Sequence, residues 1–125
     1  MMNKLIALFL KKKVLHRFEK VAVFNLTKDE QTIVMAKVDT GADRSSLDEK
    51  VAEKLGLLEN NNIVAIKKYR SGLGHQERKI VNVTFILKGK KITSQVSITD
   101  RTGLNYSMLI GIKDIKGFLV DPNRN

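Results

Sequence analysis

The sequence predicts a mainly β chain of one domain with one or two short helices, and three observations carry that expectation. Runs rich in Val, Ile and Phe alternate with a two-residue period, as in Phe18 to Leu26 and in Val81, Val83, Phe85 and Leu87. Only one stretch, SSLDEKVAEKLG, has the spacing of an amphipathic helix. Proline occurs once, at Pro122, and no Ser/Gly-rich linker or repeat divides the 125 residues, a length that suits one domain.

The first 17 residues read as an N-terminal extension, with the single domain expected over 18–125. The apolar run Leu5 to Leu10 is too short to cross a bilayer, and lysines 11–13 follow it where a signal peptide needs a small-residue cleavage site. No transmembrane segment is expected. An amphipathic helix and an edge strand docked on this chain or a second copy both fit the run. Peripheral membrane contact is the weaker reading, because one short apolar stretch anchors poorly.

Within the domain, Phe18 to Leu26 reads as a strand, and Lys28-Asp29-Glu30 as a polar turn. Gln31 to Val38 (QTIVMAKV) is apolar on both faces, the pattern of a strand buried inside a sheet. It runs directly into Asp39-Thr40-Gly41-Ala42. In the helical stretch Ser46 and Glu49 are spaced as a capping box, Leu47, Val51 and Leu55 share a face, and Gly56 stands at the stop. Ile63 to Tyr69 and Gln76 to Leu87 form a long hairpin around Ser71-Gly72-Leu73-Gly74. Lys88-Gly89-Lys90 turns into a strand over Ile92 to Ile98. Met108 to Ile110 ends at Gly111, and a short helix around Lys113-Asp114 precedes Phe118-Leu119-Val120.

Lysine and arginine total 23 against 13 acids, a net charge of +10 that favours acidic partners: nucleic acid, ribosomes, anionic membrane or acidic peptides. A soluble domain that is simply rich in lysine fits equally well. The absence of cysteine excludes disulfides and thiolate metal sites and suits the cytoplasm. His16 and His75 are the only histidines and no HExxH is present, so no metal is expected. Gly72-Leu73-Gly74 lacks the GK[ST] ending of a nucleotide loop, so no cofactor is expected either.

Asp39 is the unusual residue. A carboxylate just after an apolar strand and before Thr-Gly-Ala belongs in a tight turn, where Gly41 permits close backbone approach and the Thr40 hydroxyl can hold the loop. An Asp-Gly turn after a strand is often no more than a turn. Its chemical reading is an aspartic peptidase, in which two carboxylates share one proton because like charges near contact cannot both ionise. One then acts as base toward water while the other donates a proton. The chain holds one such turn, so that chemistry requires a second Asp39 from a symmetry mate, and hence a homodimer.

Val38-Asp39-Thr40-Gly41-Ala42, followed later by Met108-Leu109-Ile110-Gly111, resembles the retropepsins, whose half-site is an apolar strand, D-T-G-A and a later apolar pair with glycine. The closer likeness is to the retropepsin-like family labelled ATP-dependent zinc proteases, through AKVDTGADRSSL (36–47), RSGLGHQERKI (70–80), TDRTGLNYSMLIG (99–111) and GFLVDPNRN (117–125). The resemblance implies a closed β-barrel-like retropepsin (acid protease) fold. It implies Asp39, Thr40 and Gly41 as the catalytic loop, a flap over about Tyr69 to Gln76, and substrate contacts at Ala42, Asp43, Gly72, Leu73, Gly74 and Ile110. Two departures stand out. Ile112 occupies the place of an arginine that in retropepsins pairs with the acid at Asp43, leaving Lys113, Arg44 or Arg101 as its candidate partners. Ser107 stands where the family tends to have proline.

The function expected is therefore an aspartic endopeptidase with peptide or protein substrates. The cluster Lys67, Lys68, Arg70, Arg78 and Lys79 beside the hairpin points to acidic peptides if it lines the cleft, and to a solvated hairpin face if it does not. The family's association with enzymes that add glutamates to ribosomal proteins implies a glutamate-rich tail as substrate. The alternative is a catalytically silent binding module of the same fold for ribosome, RNA or a partner protein. Against RNA as the main ligand stands the scarcity of aromatics for base stacking: two tyrosines, five phenylalanines and no tryptophan.

Overall fold

The computed structural model describes residues 12–72 and 74–123. Its strands in chain order are β1 (Val14–Leu15), β2 (Phe18–Phe24), β3 (Gln31–Val38), β4 (Ser46–Asp48) and β5 (Ile63–Ser71). They continue as β6 (Gly74–Leu87), β7 (Lys90–Thr99), β8 (Met108–Ile110) and β9 (Leu119–Val120). Helix α1 (Glu49–Lys54) follows β4, a single 3-10 turn covers Asn60–Asn62, and α2 (Ile112–Ile115) follows β8.

Six strands close into a barrel in the order β2, β3, β8, β4, β7, β6. The ring shuts where β6 turns back onto β2, with Val21 opposite Leu87 and Val23 opposite Phe85. Closure gives each of the six strands a neighbour on both sides, which shortens the run of exposed ladder groups that invites aggregation. β5 lies on the far side of β6 and makes the long hairpin arm. Two-residue alternation aims Val21, Val23, Val83, Phe85, Ala36 and Met108 into the barrel, where none is more than 1% exposed.

β3 departs from its sequence pattern. It does lie between two strands, but the outer face of a barrel wall meets solvent, so Ile33 and Met35 are 61% and 38% exposed. The helix also begins later than the capping pattern predicts. Leu47 is drawn fully into the core between β7 and β8, so Ser46 to Asp48 form a strand and the helix starts at Glu49. The Ser46–Glu49 box does not form; Asp48 takes the N-cap position, and its carboxylate accepts the Arg101 backbone N–H at 2.8 Å instead. Burial of one leucine outweighs a cap contribution of about 1 kcal/mol.

Val14 and Leu15 pair in parallel with Leu119 and Val120, and Leu15 is fully buried. Residues 1–11 of the stretch set apart as an extension lie outside the described residues, as does Leu73. Among the described residues no helix is long and apolar enough to cross a membrane.

The segment from Asp39 to Ser45 is seated against the turn after β8. Ile112 N–H donates to the Ala42 carbonyl at 2.7 Å, and Lys113 N–H to the Asp43 carbonyl at 3.2 Å. Between these bonds the two backbones nearly touch: a Cβ built on Gly111 would stand 2.5 Å from the carbonyl carbon of Arg44 and 2.8 Å from its nitrogen. Only a residue without a side chain fits there. Gly111→Ala should therefore destabilise the protein by about 1–3 kcal/mol or more through overpacking. Gly72→Ala, where an added Cβ meets nothing within 4 Å, should change stability by under about 0.5 kcal/mol. Urea unfolding of both variants measures the contrast, and equal midpoints would mean that the Arg44 backbone yields.

Candidate active site

Asp39 sits one residue beyond β3 and is anchored by its backbone. Its N–H donates to the Ile110 carbonyl at 2.9 Å, continuing the parallel pairing of β3 with β8, and its carbonyl accepts Ala42 N–H at 3.2 Å. The carboxylate turns back on its own loop, where Oδ1 accepts the Gly41 N–H at 2.9 Å. A Cβ at Gly41 would stand 3.3 Å from that oxygen, so glycine gives the carboxylate its room. Asp39 is half-buried and Thr40 exposed. The Thr40 hydroxyl makes no hydrogen bond among the described residues; main-chain bonds and the carboxylate itself hold the turn. This arrangement fixes the carboxylate's direction while leaving part of it open to solvent or to a second molecule.

Behind the loop lies a buried polar cluster. Asp114 on α2 is 8% exposed, and its Oδ2 accepts the Ser45 hydroxyl at 2.5 Å and the Ser94 hydroxyl at 3.0 Å. The Ser45 oxygen in turn accepts the Gly111 N–H at 3.0 Å. Hydrogen bonding at both ends is what makes buried polar groups tolerable there.

Beside the loop opens a cavity of about 450 Å³, bounded on one side by Ala42 and Asp43 and on another by Leu109. Five cationic residues line it: Arg44, Lys67, Arg78, Arg101 and Lys113. Arg101 is fixed by the Ser46 hydroxyl at 3.0 Å and by the face of the Tyr106 ring, 4.7 Å from its centroid. Arg44 donates to the Gln95 carbonyl at 3.2 Å. The opposing acids are Asp43 and Asp100. The Thr102 hydroxyl, and then its backbone N–H at 2.9 Å, hold the Asp100 carboxyl below its ordinary range, so it stays charged. Ser97 also lines the cavity, and its buried hydroxyl has no hydrogen-bond partner among the described residues.

The sequence-derived candidates thus divide. Asp39, Thr40, Gly41, Ala42 and Asp43 form one loop, with Ala42 and Asp43 on the cavity wall. The Ile110 side chain is fully buried in the core, and it is the neighbouring Leu109 that faces the cavity. Gly72 and Gly74 stand at the hairpin tip, Gly74 with a φ of 115° that favours glycine. Of the basic cluster, Lys67 and Arg78 sit opposite one another across β5 and β6 and reach the cavity wall. Lys68 sits opposite Glu77 and Arg70 opposite His75, while Lys79 lines a separate depression with Glu77. Asp43 is exposed and forms no ion pair among the described residues, whether with Lys113, Arg44 or Arg101. Arg44, Arg101 and Lys113 enter the sequence reading only as partners for Asp43, and Ser45, Ser94, Ser97 and Asp114 escape it. Asp114 lies 69 residues from Ser45 and 20 from Ser94, beyond any local pattern. Among the described residues no group of three or more His, Cys, Asp or Glu is placed to hold a metal ion.

Solved structures share this architecture. A protein of unknown function (DUF785) from Legionella pneumophila, Lpg0085, superposes with a TM-score of 0.56 at 22% identity, over 88% of this chain and 93% of that one. The protease of simian foamy virus (mac) superposes with a TM-score of 0.58 at 14% identity, over 78% of this chain and 90% of that one. At these identities the likeness concerns the fold, which is that of a retropepsin. No curated protein matches the sequence. A family model described as RimB-like, "Retropepsin-like aspartic endopeptidase RimB", matches residues 51–125, more than half of the chain. The Gly111 turn lies inside that matched span, and the chain belongs to the RimB-like family of retropepsin-like aspartic endopeptidases.

Proposed function

We propose that the protein is an aspartic endopeptidase that acts as a homodimer, with one Asp39 from each subunit facing a shared water. The observation that carries this reading is the state of Asp39: pinned at the end of β3, directed by its own loop's amide, and half-buried rather than enclosed. A second copy brought to this open side supplies the other carboxylate of a proton-sharing pair. One Asp39 removes a proton from water as it attacks the peptide carbonyl, and the other donates a proton to the carbonyl oxygen. The pair titrates as a unit, so its pH profile belongs to the dyad. The hairpin β5–β6, with Gly72 and Gly74 near its tip, closes over the substrate and excludes bulk water. Asp39→Asn should abolish peptide cleavage while leaving dimerisation by size-exclusion chromatography intact. Undiminished cleavage by this variant would refute the reading.

The substrate class we propose is acidic peptide. Five cationic side chains around a cavity next to Ala42 and Asp43, with two acids opposing them, favour a chain of carboxylates over neutral peptide. Lys67→Ala and Lys113→Ala should each raise KM for a glutamate-rich peptide by about 2–5-fold, the scale of a solvent-exposed ion pair, with little change in kcat. KM for a neutral peptide should be unaffected. Raising salt should weaken cleavage of the acidic peptide selectively. Asp43, without an ion pair among the described residues, favours a second reading, a binding module without catalysis. That reading predicts acidic-peptide or RNA binding that is insensitive to Asp39→Asn and a dimer that makes no cut.

A further inference from the structure

We infer that Asp114 is a positioning residue for the reaction: through Ser45 it sets the depth at which the Asp39 loop sits on the Gly111 turn. The inference rests on the peptidase reading above and adds to it a buried group that does not line the cavity beside the loop.

Asp114 is a carboxylate 8% exposed, with no ion pair among the described residues. Burying a charge is costly unless it is well satisfied, and here two hydroxyls converge on one oxygen. A carboxylate only accepts, so the Ser45 hydrogen must point at Asp114, at 2.5 Å. A hydroxyl has one hydrogen, so that choice turns a Ser45 lone pair toward the Gly111 N–H, which donates to it at 3.0 Å. Asp114 therefore orders a relay, Asp114 to Ser45 to Gly111, across the place where the two backbones come closest.

Both ends of the relay continue to Asp39. Gly111 follows Ile110, whose carbonyl receives the Asp39 N–H. Ser45 closes the loop that Asp39 opens, and its own carbonyl is tied to β7 by the Ser97 N–H at 3.0 Å. Ser94, on the same strand, fixes Asp114 from the far side. Asp43 forms no ion pair that could brace the loop within the described residues, and Ile112 is an exposed apolar side chain. The brace at Asp114 thus holds the end of a loop in which the Asp43 side chain forms no ion pair among the described residues. A shift of this loop moves Asp39 in each subunit, so an error in one chain is doubled in the distance between the two carboxylates.

The test compares Asp114→Ala, Asp114→Asn and Ser45→Ala in the full chain, by kinetics on an acidic peptide and by amide exchange. Asp114→Ala should lower kcat by about 10²-fold, the scale of a misplaced reacting group, with KM within about twofold. Asp114→Asn keeps an acceptor for Ser45 and should recover most of that kcat, whereas a side chain needed only to fill space would give no such split. Ser45→Ala should match Asp114→Ala, and the double variant should be no worse than either single one, because both break one relay. A kcat within threefold of wild type in folded, dimeric Asp114→Ala or Ser45→Ala would overturn the inference, as would losses that multiply in the double variant. Should Asp114→Ala not fold, Asp114→Asn and Ser45→Ala carry the same comparison. If the wild-type protein shows no Asp39-dependent cleavage, the peptidase reading fails by itself, and amide exchange then decides the relay. Exchange at Gly41, Ala42 and Gly111 should quicken in Ser45→Ala while β6 and β7 are unchanged, and unaltered exchange at those three sites would overturn it.

Discussion

The approach of Gly111 to the backbone of Arg44 is the constraint on which the rest of the site depends. Two stretches of main chain, one leaving β3 and one leaving β8, are pressed together until no Cβ fits between them. Ile112 and Lys113 donate to Ala42 and Asp43 on one side, and Asp39 donates to Ile110 on the other. A loop bonded along its length has little conformational entropy left to lose on meeting a ligand, which is the physical content of preorganisation. The same seating returns the chain at Ser46 into the gap between β7 and β8, so the Asp39 turn leads directly into the barrel wall.

What the sequence made legible is what is local. Alternation identified the long strands, glycine and charge marked the hairpin and the turn at Lys88-Gly89, and the Asp39 turn was plain from four consecutive residues. The start of α1 was not, because Ser46 and Glu49 carry the spacing of a capping box whether or not it forms. The deciding term was the burial of Leu47 between strands that arrive some fifty residues later. β3 misled for a related reason: apolar residues on both faces read as double-sided burial, yet a barrel wall has only one inner face. The cavity was legible only in pieces: Lys67 and Arg78 stood out in the hairpin's basic cluster and Ala42 and Asp43 in the loop, but Arg44, Arg101 and Lys113 come from separate parts of the chain and join them only in the fold.

The charge of the chain takes on meaning from where its cations rest. Lys37, Lys90 and Lys91 lie over the rings of Tyr106, Phe118 and Phe24, and Lys13 and Arg44 donate to backbone carbonyls. Contacts of this kind orient a cation without neutralising it. Much of the +10 therefore remains as field at the surface, where it raises the encounter rate of an anionic partner. The cavity beside Asp43 adds a concave wall to that field, and concavity is what converts general attraction into a preferred place.

Family membership and catalytic reading rest on different halves of the chain. The family match spans 51–125, which contains the hairpin, β8 and the Gly111 turn, while Asp39 lies ahead of it. The matched half therefore supplies the seat, and the unmatched half supplies the carboxylate that occupies it. The two are joined by bonds that neither half could make alone: Asp39 to Ile110, Ala42 to Ile112, and Ser45 to both Gly111 and Asp114. The seat is exacting enough that not one methyl group is admitted at Gly111. Such precision is what the proposed reading requires, in which the position of one carboxylate matters to a fraction of an ångström because it shares a proton with its own copy.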